Sequence, residues 1–385
     1  MDVRKSILRI AVVGIESPEA GGAHNAENLM LSQIQEALAD DEVIVVNPKM
    51  PKFGPLLIFS RFGRFFRAVF FIWRYKPGTW SILRRFGRIP TSRFEAKLLG
   101  LNIDLVFFVG SYDRAIELKR IPFIATVWDL GHRDLPSLPE LGSNREFEFR
   151  EWRIRNVLMK AYAIVVDSEF TRQKLGDYYG IDVSTIYSLP FCPVAEESPL
   201  TTQRDLFAIY PAHYWSHKNH IVLLDAISSL VSKGETPLQL KFTGLDKGNL
   251  RFLAKRVKEL GISQYVDFLG FVSKGELDLL YRKAAVMVMP SLLGPTNLPP
   301  LEALMRGCPV VVSSGARENL KNWSGVLEIA GTDVQSWSKA LSSNTEFERV
   351  DTIAIQQHLL ETKQLNIERL IAIFEGFKFM RRTHE

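Results

Sequence analysis

Three residues of this chain are of types that handle anions, hydroxyls or protons, and each sits where a loop meets an element: Lys218, Glu302 and His132. Lys218 lies in Pro211-Ala212-His213-Tyr214-Trp215-Ser216-His217-Lys218-Asn219, ahead of a helical pattern with Leu223, Leu224, Ile227, Leu230 and Val231 on one face. An ammonium at a helix N-terminus opposes the helix dipole, so it is badly placed as a stabiliser. Beside a bound anion it is a point charge suited to phosphate, and otherwise it is a solvated surface lysine. Glu302 follows Gly294-Pro295-Thr296-Asn297-Leu298-Pro299-Pro300 and is expected in the first turn of a short helix. The prolines suit the first helical positions, Thr296 or Asn297 would cap the helix, and Gly307 would end it. There Glu302 either complements the dipole or presents a carboxylate to the hydroxyls of a nucleotide or sugar. His132, in Trp128-Asp129-Leu130-Gly131-His132-Arg133-Asp134, is either a group that polarises or deprotonates a hydroxyl near neutral pH or a loop histidine without a role.

The elements that must position these residues alternate between short apolar runs and helical patterns. Ile7 to Val13, a loop with Gly21-Gly22, and a helix from about Asn25 to Leu38 with Leu29, Leu31, Ile34 and Leu38 inward form the opening strand–turn–helix. Further strands are expected at 41–46, 104–109, 121–127, 163–166 and 186–189, with Ser168 capping a helix. A fresh series starts at Leu206 to Tyr210 and continues at 239–243, 265–269, 286–289 and 309–312. This predicts two doubly wound α/β domains, 1–198 and 199–350, joined near 196–203. A helical tail over 351–385 has Ile353, Leu359, Leu360, Leu365, Leu370, Ile373 and Phe374 as its apolar residues. After Ser324 the strand signals weaken. G-x-G-x-x-G is absent, which weighs against a dinucleotide enzyme, while Gly21-Gly22 permits a backbone to approach a ligand closely or serves as a plain turn.

A hydrophobic share of 46% and a charged share of 24% over 385 residues are those of a soluble globular protein. No apolar run approaches the ~18 residues needed to span a bilayer, and no cleavable leader is expected in Met1 to Ile10. Two cysteines, Cys192 and Cys308, suggest neither a disulfide framework nor a metal cluster, and a reducing cytoplasm fits them. The basic charge is local. Lys52 to Lys97 holds 11 Lys or Arg against one acid, Glu95, a net +10 in a chain of net +5, so the remainder sums to −5. Arg61, Arg64 and Arg67 recur every three residues, and Arg84 and Arg85 follow, interleaved with Phe59, Phe62, Phe65, Phe66, Phe70 and Trp73. Three readings stay open: a helix whose aromatics enter the core, an interfacial helix on an anionic membrane, and, least favoured, a single-stranded nucleic-acid platform.

These motifs together resemble one family. GPTNLPPLEALMRGCPVVVSS, HKNHIVLLDAI, FTGLDKG, YVDFLGFV, ELDLLY and VDSEFTRQKL are similar to segments of GT-B glycosyltransferases, specifically glycosyltransferase family 4, the retaining group. The likeness covers roughly Gly110 to Ser314, and its tone is that of the mannosyl- or related hexosyltransferases of bacterial polysaccharide and O-antigen assembly. It implies two Rossmann-like domains facing a central cleft, with a nucleotide sugar on the second and a saccharide acceptor, lipid-linked, on the first. Lys218 would hold the donor diphosphate, Glu302 the ribose hydroxyls, and the amides near Leu298 the phosphates or sugar. Gly21-Gly22 would approach the diphosphate from the opposite domain, and the backbone at Phe271-Val272 would meet the base. His132, Lys218 and Glu302 are the expected catalytic residues. No cofactor, metal or nucleic-acid partner is implied, and no Asp-x-Asp of the metal-dependent GT-A class occurs. Placement would be cytoplasmic, peripheral on the inner membrane face through 52–97.

Three positions depart from the family pattern. Gly294 stands where an earlier glutamate, eight positions before Glu302, is usual, a task that passes to Thr296 or Asn297. Ala212-His213 stand where many members carry an Arg, for which His213 is the substitute. Trp128 stands where a histidine often precedes Asp129, so that role passes to His132. Two other readings of the same fold stay open: a nucleotide-sugar-binding subunit without transfer activity, and a sugar-nucleotide epimerase.

Overall fold

The computed structural model describes residues 7–14, 17, 21–46, 91–142, 145–193, 204–294, 297–314, 320 and 323–384. Most of the basic aromatic segment, with Arg61, Arg64, Arg67, Arg84 and Arg85, lies outside them, as do Thr296 and the expected linker. In the first half, β1 (Arg9–Val13), α1 (Gly22–Ala37), β2 (Glu42–Val46), α2 (Arg93–Gly100), β3 (Leu105–Phe108) and β4 (Phe123–Val127) are followed by α3 (Gly131–Asp134) and α4 (Pro139–Gly142). Then come α5 (Glu146–Asn156), β5 (Ala163–Val166), α6 (Glu169–Tyr179) and β6 (Ile186–Ser188). The strands form a six-stranded parallel sheet of order β2-β1-β3-β4-β5-β6. Every residue of β3, β4 and β5 is buried, as expected of parallel strands covered on both faces. Ser168 caps α6, accepting from the Thr171 amide.

The second half repeats the plan. It runs β7 (Asp205–Pro211), α7 (His220–Ser232), β8 (Gln239–Thr243), α8 (Leu250–Glu259), β9 (Val266–Gly270), α9 (Lys274–Lys283), β10 (Ala284–Met289), α10 (Leu298–Met305), β11 (Val310–Ser313), β12 (Val326–Ile329) and α11 (Val334–Ala340). Its parallel sheet has the order β12-β11-β10-β7-β8-β9. Strand β12 was not legible because it alternates at an edge: Leu327 is 44% exposed while Ile329 is buried. A reciprocal capping box between Ser273 and Glu276 opens α9. At the other end of that helix the Arg204 guanidinium donates to the carbonyls of Tyr281, Arg282 and Ala284, and to that of Arg306 past α10. A cation gathering helix C-terminal carbonyls satisfies groups that have no partner inside the helix.

Two helical patterns need correction. α1 starts at Gly22, and its buried face is Ala26, Glu27, Met30, Gln33 and Ile34, whereas Leu29 and Leu31 are half-buried. Polar residues occupy that face because Gln33 Nε2 donates to Cys192 Sγ (2.9 Å) inside a shared buried cluster. The tail is one helix, α12 (Thr352–His384), of 33 residues, on the order of 50 Å at 1.5 Å per residue. Ile353, Leu360 and Leu365 are exposed on it, against expectation. That length lets one helix serve both domains. Its early residues Ile355 and Leu359 join the core of the second sheet, while Leu370, Ile373, Phe374 and Phe377 join Leu8, Ile10 and Phe107 of the first. At the crossing, fully buried Asn366 donates to the Pro190 carbonyl (2.9 Å) and Gln33 Oε1 (3.3 Å). Lys378 to Asp41 (2.6 Å) and Arg381 to Asp104 (2.7 Å) fasten its far end.

Truncating the ring that packs edge-on against Phe107 (centroids 6.5 Å apart) tests this docking. Phe374→Ala should cost about 3–5 kcal/mol and lower the first domain's transition in scanning calorimetry. An unchanged transition would mean that α12 does not carry that core.

Candidate functional site

Strands β10 and β7 are parallel neighbours in the second sheet, and the chain leaves them in opposite directions, to β11 on one side and β8 on the other. Such a divergence opens a crevice at the carboxyl ends, where open α/β sheets take ligands. The described residues lining it are 212–219, after β7, and 290–294 with Asn297, after β10. Lys218 ends a 3-10 turn, Ser216–Lys218, and the helix proper begins two residues later at His220. Asn219 makes the join in the left-handed region (φ 52°), which Asn tolerates better than most residues. Its Nδ2 donates to the carbonyls of Gly331 (2.7 Å) and Pro290 (3.2 Å), tying the two loops together. The Lys218 carbonyl accepts from the Tyr210 hydroxyl (2.8 Å), and Nζ lies 3.5 Å from the Oγ of fully buried Ser291. Desolvation pulls the ammonium down to about 8, against the opposing attraction of Asp129. A lysine held this way is not a solvated surface residue.

Glu302 is the fifth residue of α10, one turn deeper than expected, so compensation of the helix dipole within the first turn does not explain it. Its Oε2 accepts from the hydroxyl of buried Tyr281 (3.2 Å). Burial pushes the carboxyl above its ordinary range, opposed by Arg306, by the Tyr281 hydrogen bond and by Lys274. Asn297 occupies the N-cap position, but its side chain does not cap α10; Nδ2 turns back to the Gly294 carbonyl (2.8 Å) instead. Gly294 sits at φ 92°, a backbone state that a glutamate adopts only under strain. A side chain at Gly294 would therefore be strained in this loop as it stands.

The first domain meets this crevice closely. A Cβ on Gly21, the N-cap of α1 at φ 62°, would come within 3.0 Å of His213 Nε2 in the second domain. The other ring nitrogen of His213 accepts from the Leu245 amide (2.9 Å). A Cβ on Gly131 would come within 3.0 Å of a Leu293 methyl. Glu140 Oε1 accepts from the His217 amide (2.8 Å) and from His217 Nδ1 (2.7 Å). Asp129, which the Lys218 ammonium senses, accepts from the Gly131 amide (2.8 Å) and Arg150 (3.2 Å).

The arrangement thus places Lys218, His213, Gly21, Gly131 and Leu293 around one seam, with Glu302 on the helix that leaves the same loop. Gly22 is exposed in the first turn of α1, and Leu298 is buried at the start of α10. Phe271 (51% exposed) and half-buried Val272 follow β9 beyond Gly270. His132 is placed differently from expectation. It is 1% exposed, and its Nε2 is engaged by Glu151 (3.1 Å) and the Tyr179 hydroxyl (3.2 Å) inside the first domain. Burial holds its pKa below the ordinary value despite Glu151, itself drawn down to about 2 chiefly by Arg133. Trp128 packs on Phe191 (centroids 5.3 Å). Ser291, Asn219 and Glu140 were missed as site residues. Only Asn219 left a local signal, an Asn directly between loop and helix. Among the described residues no group of three or more His, Cys, Asp or Glu could hold a metal ion, and no helix is long and apolar enough to cross a membrane.

Residues 195–348 match the family model of glycosyl transferases group 1. An O-antigen chain mannosyltransferase of Salmonella typhimurium is 34% identical over 91 residues, 24% of this chain and 26% of that protein. The matched stretches span half or less of the curated relatives, from 20% to 50% of their lengths. A glycosyltransferase from Rickettsia africae superposes with a TM-score of 0.63 at 12% identity, over 97% of this chain and 99% of that one. Anabaena HepE in complex with UDP and glucose superposes with a TM-score of 0.59 at 14% identity, over 98% and 100%. The fold is accordingly GT-B, two doubly wound domains facing a cleft.

The electrostatics of the seam are directly measurable. In a lysine-labelled NMR titration without ligand, the Lys218 signal should titrate near pH 8. A midpoint at the ordinary lysine value of about 10.4 would contradict its desolvation.

Proposed function

We propose, for a chain whose residues 195–348 are a glycosyl transferases group 1 domain, a retaining glycosyltransferase that moves a sugar from a nucleotide-diphosphate donor to a saccharide. The observation that carries the reading is the desolvated Lys218 ammonium at the switch point, beside the loop that leads into Glu302. A cation held out of water gains far more from a diphosphate than a solvated one does. Lys218 takes the diphosphate, the amides at the start of α10 near Leu298 support it, and Gly21-Gly22 approach it from the first domain. Glu302 accepts from the ribose hydroxyls, and the backbone at Phe271-Val272 meets the base. His213, against Gly21, and Asn297 or Thr296 take the part of the residues replaced by Ala212 and Gly294.

Chemistry then consists of breaking the bond from the anomeric carbon to the diphosphate oxygen while the acceptor hydroxyl adds to the same carbon. The hydroxyl proton passes to the departing phosphate oxygen, whose charge Lys218 stabilises. His132, whose Nε2 is held by Glu151 and the Tyr179 hydroxyl inside the first domain, serves the acceptor side by positioning and does not touch the hydroxyl itself. No metal or cofactor takes part. The acceptor is a lipid-linked saccharide of cell-surface polysaccharide assembly, a reading supported by the O-antigen mannosyltransferase among its relatives. The net +10 segment 52–97 docks on anionic lipid at the cytoplasmic membrane face. One observation favours a second reading, a nucleotide-sugar-binding subunit without turnover: Gly294 where a carboxylate is usual.

UDP, GDP and ADP should be compared in thermal shift, where a ligand at 100 times its Kd stabilises by about 2.7 kcal/mol. At least one should bind, more weakly as pH rises past about 8 and the Lys218 ammonium is lost. With the matching sugar nucleotide, Lys218→Ala should lower kcat by about 10²–10³ and Glu302→Ala should raise the donor KM. No shift with any of the three nucleotides would sink the reading, and binding without turnover would favour the second one.

A further inference from the structure

Glu140 belongs to the first domain, yet two hydrogen-bond donors to its carboxylate come from the second. One carboxylate oxygen, Oε1, receives both the amide and the ring Nδ1–H of His217. The Glu140 side chain is 10% exposed and that of His217 19%. A carboxylate withdrawn this far from water costs several kcal/mol unless donors replace the water. Here His217 supplies two of them across the cleft. Burial works to raise the Glu140 carboxyl, and the hydrogen bonds from the His217 amide, from its own backbone amide and from the His217 ring outweigh it, holding the group below its ordinary value. Donation from Nδ1 also fixes the imidazole tautomer, leaving Nε2 as the acceptor nitrogen.

His217 is gripped from its other side as well. Its carbonyl accepts from the Leu292 amide (2.8 Å), and the adjacent Leu293 is the residue that Gly131 of the first domain approaches. The segment from Gly131 to Glu140 therefore touches both loops of the second domain's crevice, and the residue after His217 is Lys218. A turn of three residues, Ser216–Lys218, has little freedom once its middle residue is bound at the amide, the carbonyl and the ring.

We infer that Glu140 is a positioning residue: by holding His217 when the two domains are together, it sets the Ser216–Lys218 turn so that the Lys218 ammonium meets the diphosphate of the donor. This rests on the glycosyl-transfer reading. Nucleoside binding would need the second domain alone, whereas productive placement of Lys218 would need Glu140 in place. Loss of the link should fall on kcat and on affinity for the diphosphate, and spare affinity for the nucleoside monophosphate, which lacks the β-phosphate.

The test uses the full-length protein with UDP- and GDP-sugars as donors and with UMP and GMP, which lack the β-phosphate, as binding probes. Glu140→Ala should lower kcat by about 10- to 100-fold, the range expected for a displaced catalytic group, with nucleotide Kd in titration calorimetry within about twofold of the parent. Glu140→Gln keeps an oxygen that can accept both donors and should restore most of kcat. His217→Ala should show the same loss, and the double variant no further loss. Hydrogen exchange of a peptide covering 212–222 should speed up in Glu140→Ala and stay at the parent rate in Glu140→Gln. Unchanged kcat in Glu140→Ala, a parallel fall of kcat, nucleotide affinity and melting temperature, or failure of Glu140→Gln to rescue would each overturn the inference. If the parent transfers no sugar while His217 loses protection only in Glu140→Ala, the interdomain lock stands and the glycosyl-transfer reading fails. The two failures are thereby told apart.

Discussion

A half-buried ammonium group at the seam between the two domains is the constraint to which the rest of this structure answers. Lys218 cannot be left there by local preference, because it opposes a helix dipole and loses hydration at the same time. It is kept in place by covalent neighbours that are each satisfied elsewhere: Tyr210 holds its carbonyl, Asn219 spans to Pro290 and Gly331, and His217 is held by Glu140. Interactions too weak to matter singly, about 1 kcal/mol each, become decisive when they converge on three consecutive residues.

The same seam explains why the two domains must be fastened in more than one place. Opposed crevices are useful only if their spacing is kept. The close approaches Gly21 to His213 and Gly131 to Leu293 set a minimum distance that any side chain at either glycine would increase. On the far side, α12 belongs to both cores, and its buried Asn366 reads Gln33 and Pro190 of the first domain. A polar group buried at such a crossing tolerates few alternative docking positions, since a shift would leave it without partners. Hydrophobic packing supplies the cohesion of α12, and Asn366 supplies its register.

Much of this was readable in one dimension. Short runs such as LVFF and AIVV, bounded by turn residues, marked the buried parallel strands, and the glycine and proline punctuation around Ser291 to Ser314 marked a helix start at the carboxyl edge of a sheet. Lys218 stood out because it opposes its own helix dipole, whereas Glu302 was equally open to reading as a dipole-complementing residue. The reading failed where local and tertiary signals compete. On α1 the polar Glu27 and Gln33 were passed over for Leu29 and Leu31, because a buried polar residue is recognised only once its partner is known. On α12 the apolar residues outnumber those that one face can bury, so Ile353, Leu360 and Leu365 lie in solvent.

By itself, then, the order of amino acids determined where most strands and helices lie and that there are two doubly wound units. These are consequences of periodicity, turn chemistry and charge within a dozen residues of one another. Only the tertiary structure decided that His132 is closed inside the first domain, and that Glu140 reaches His217 across 77 positions of sequence. The first depends on burial among Glu151 and Tyr179 within one folded domain, and the second on a partner that arrives only when the two domains face each other.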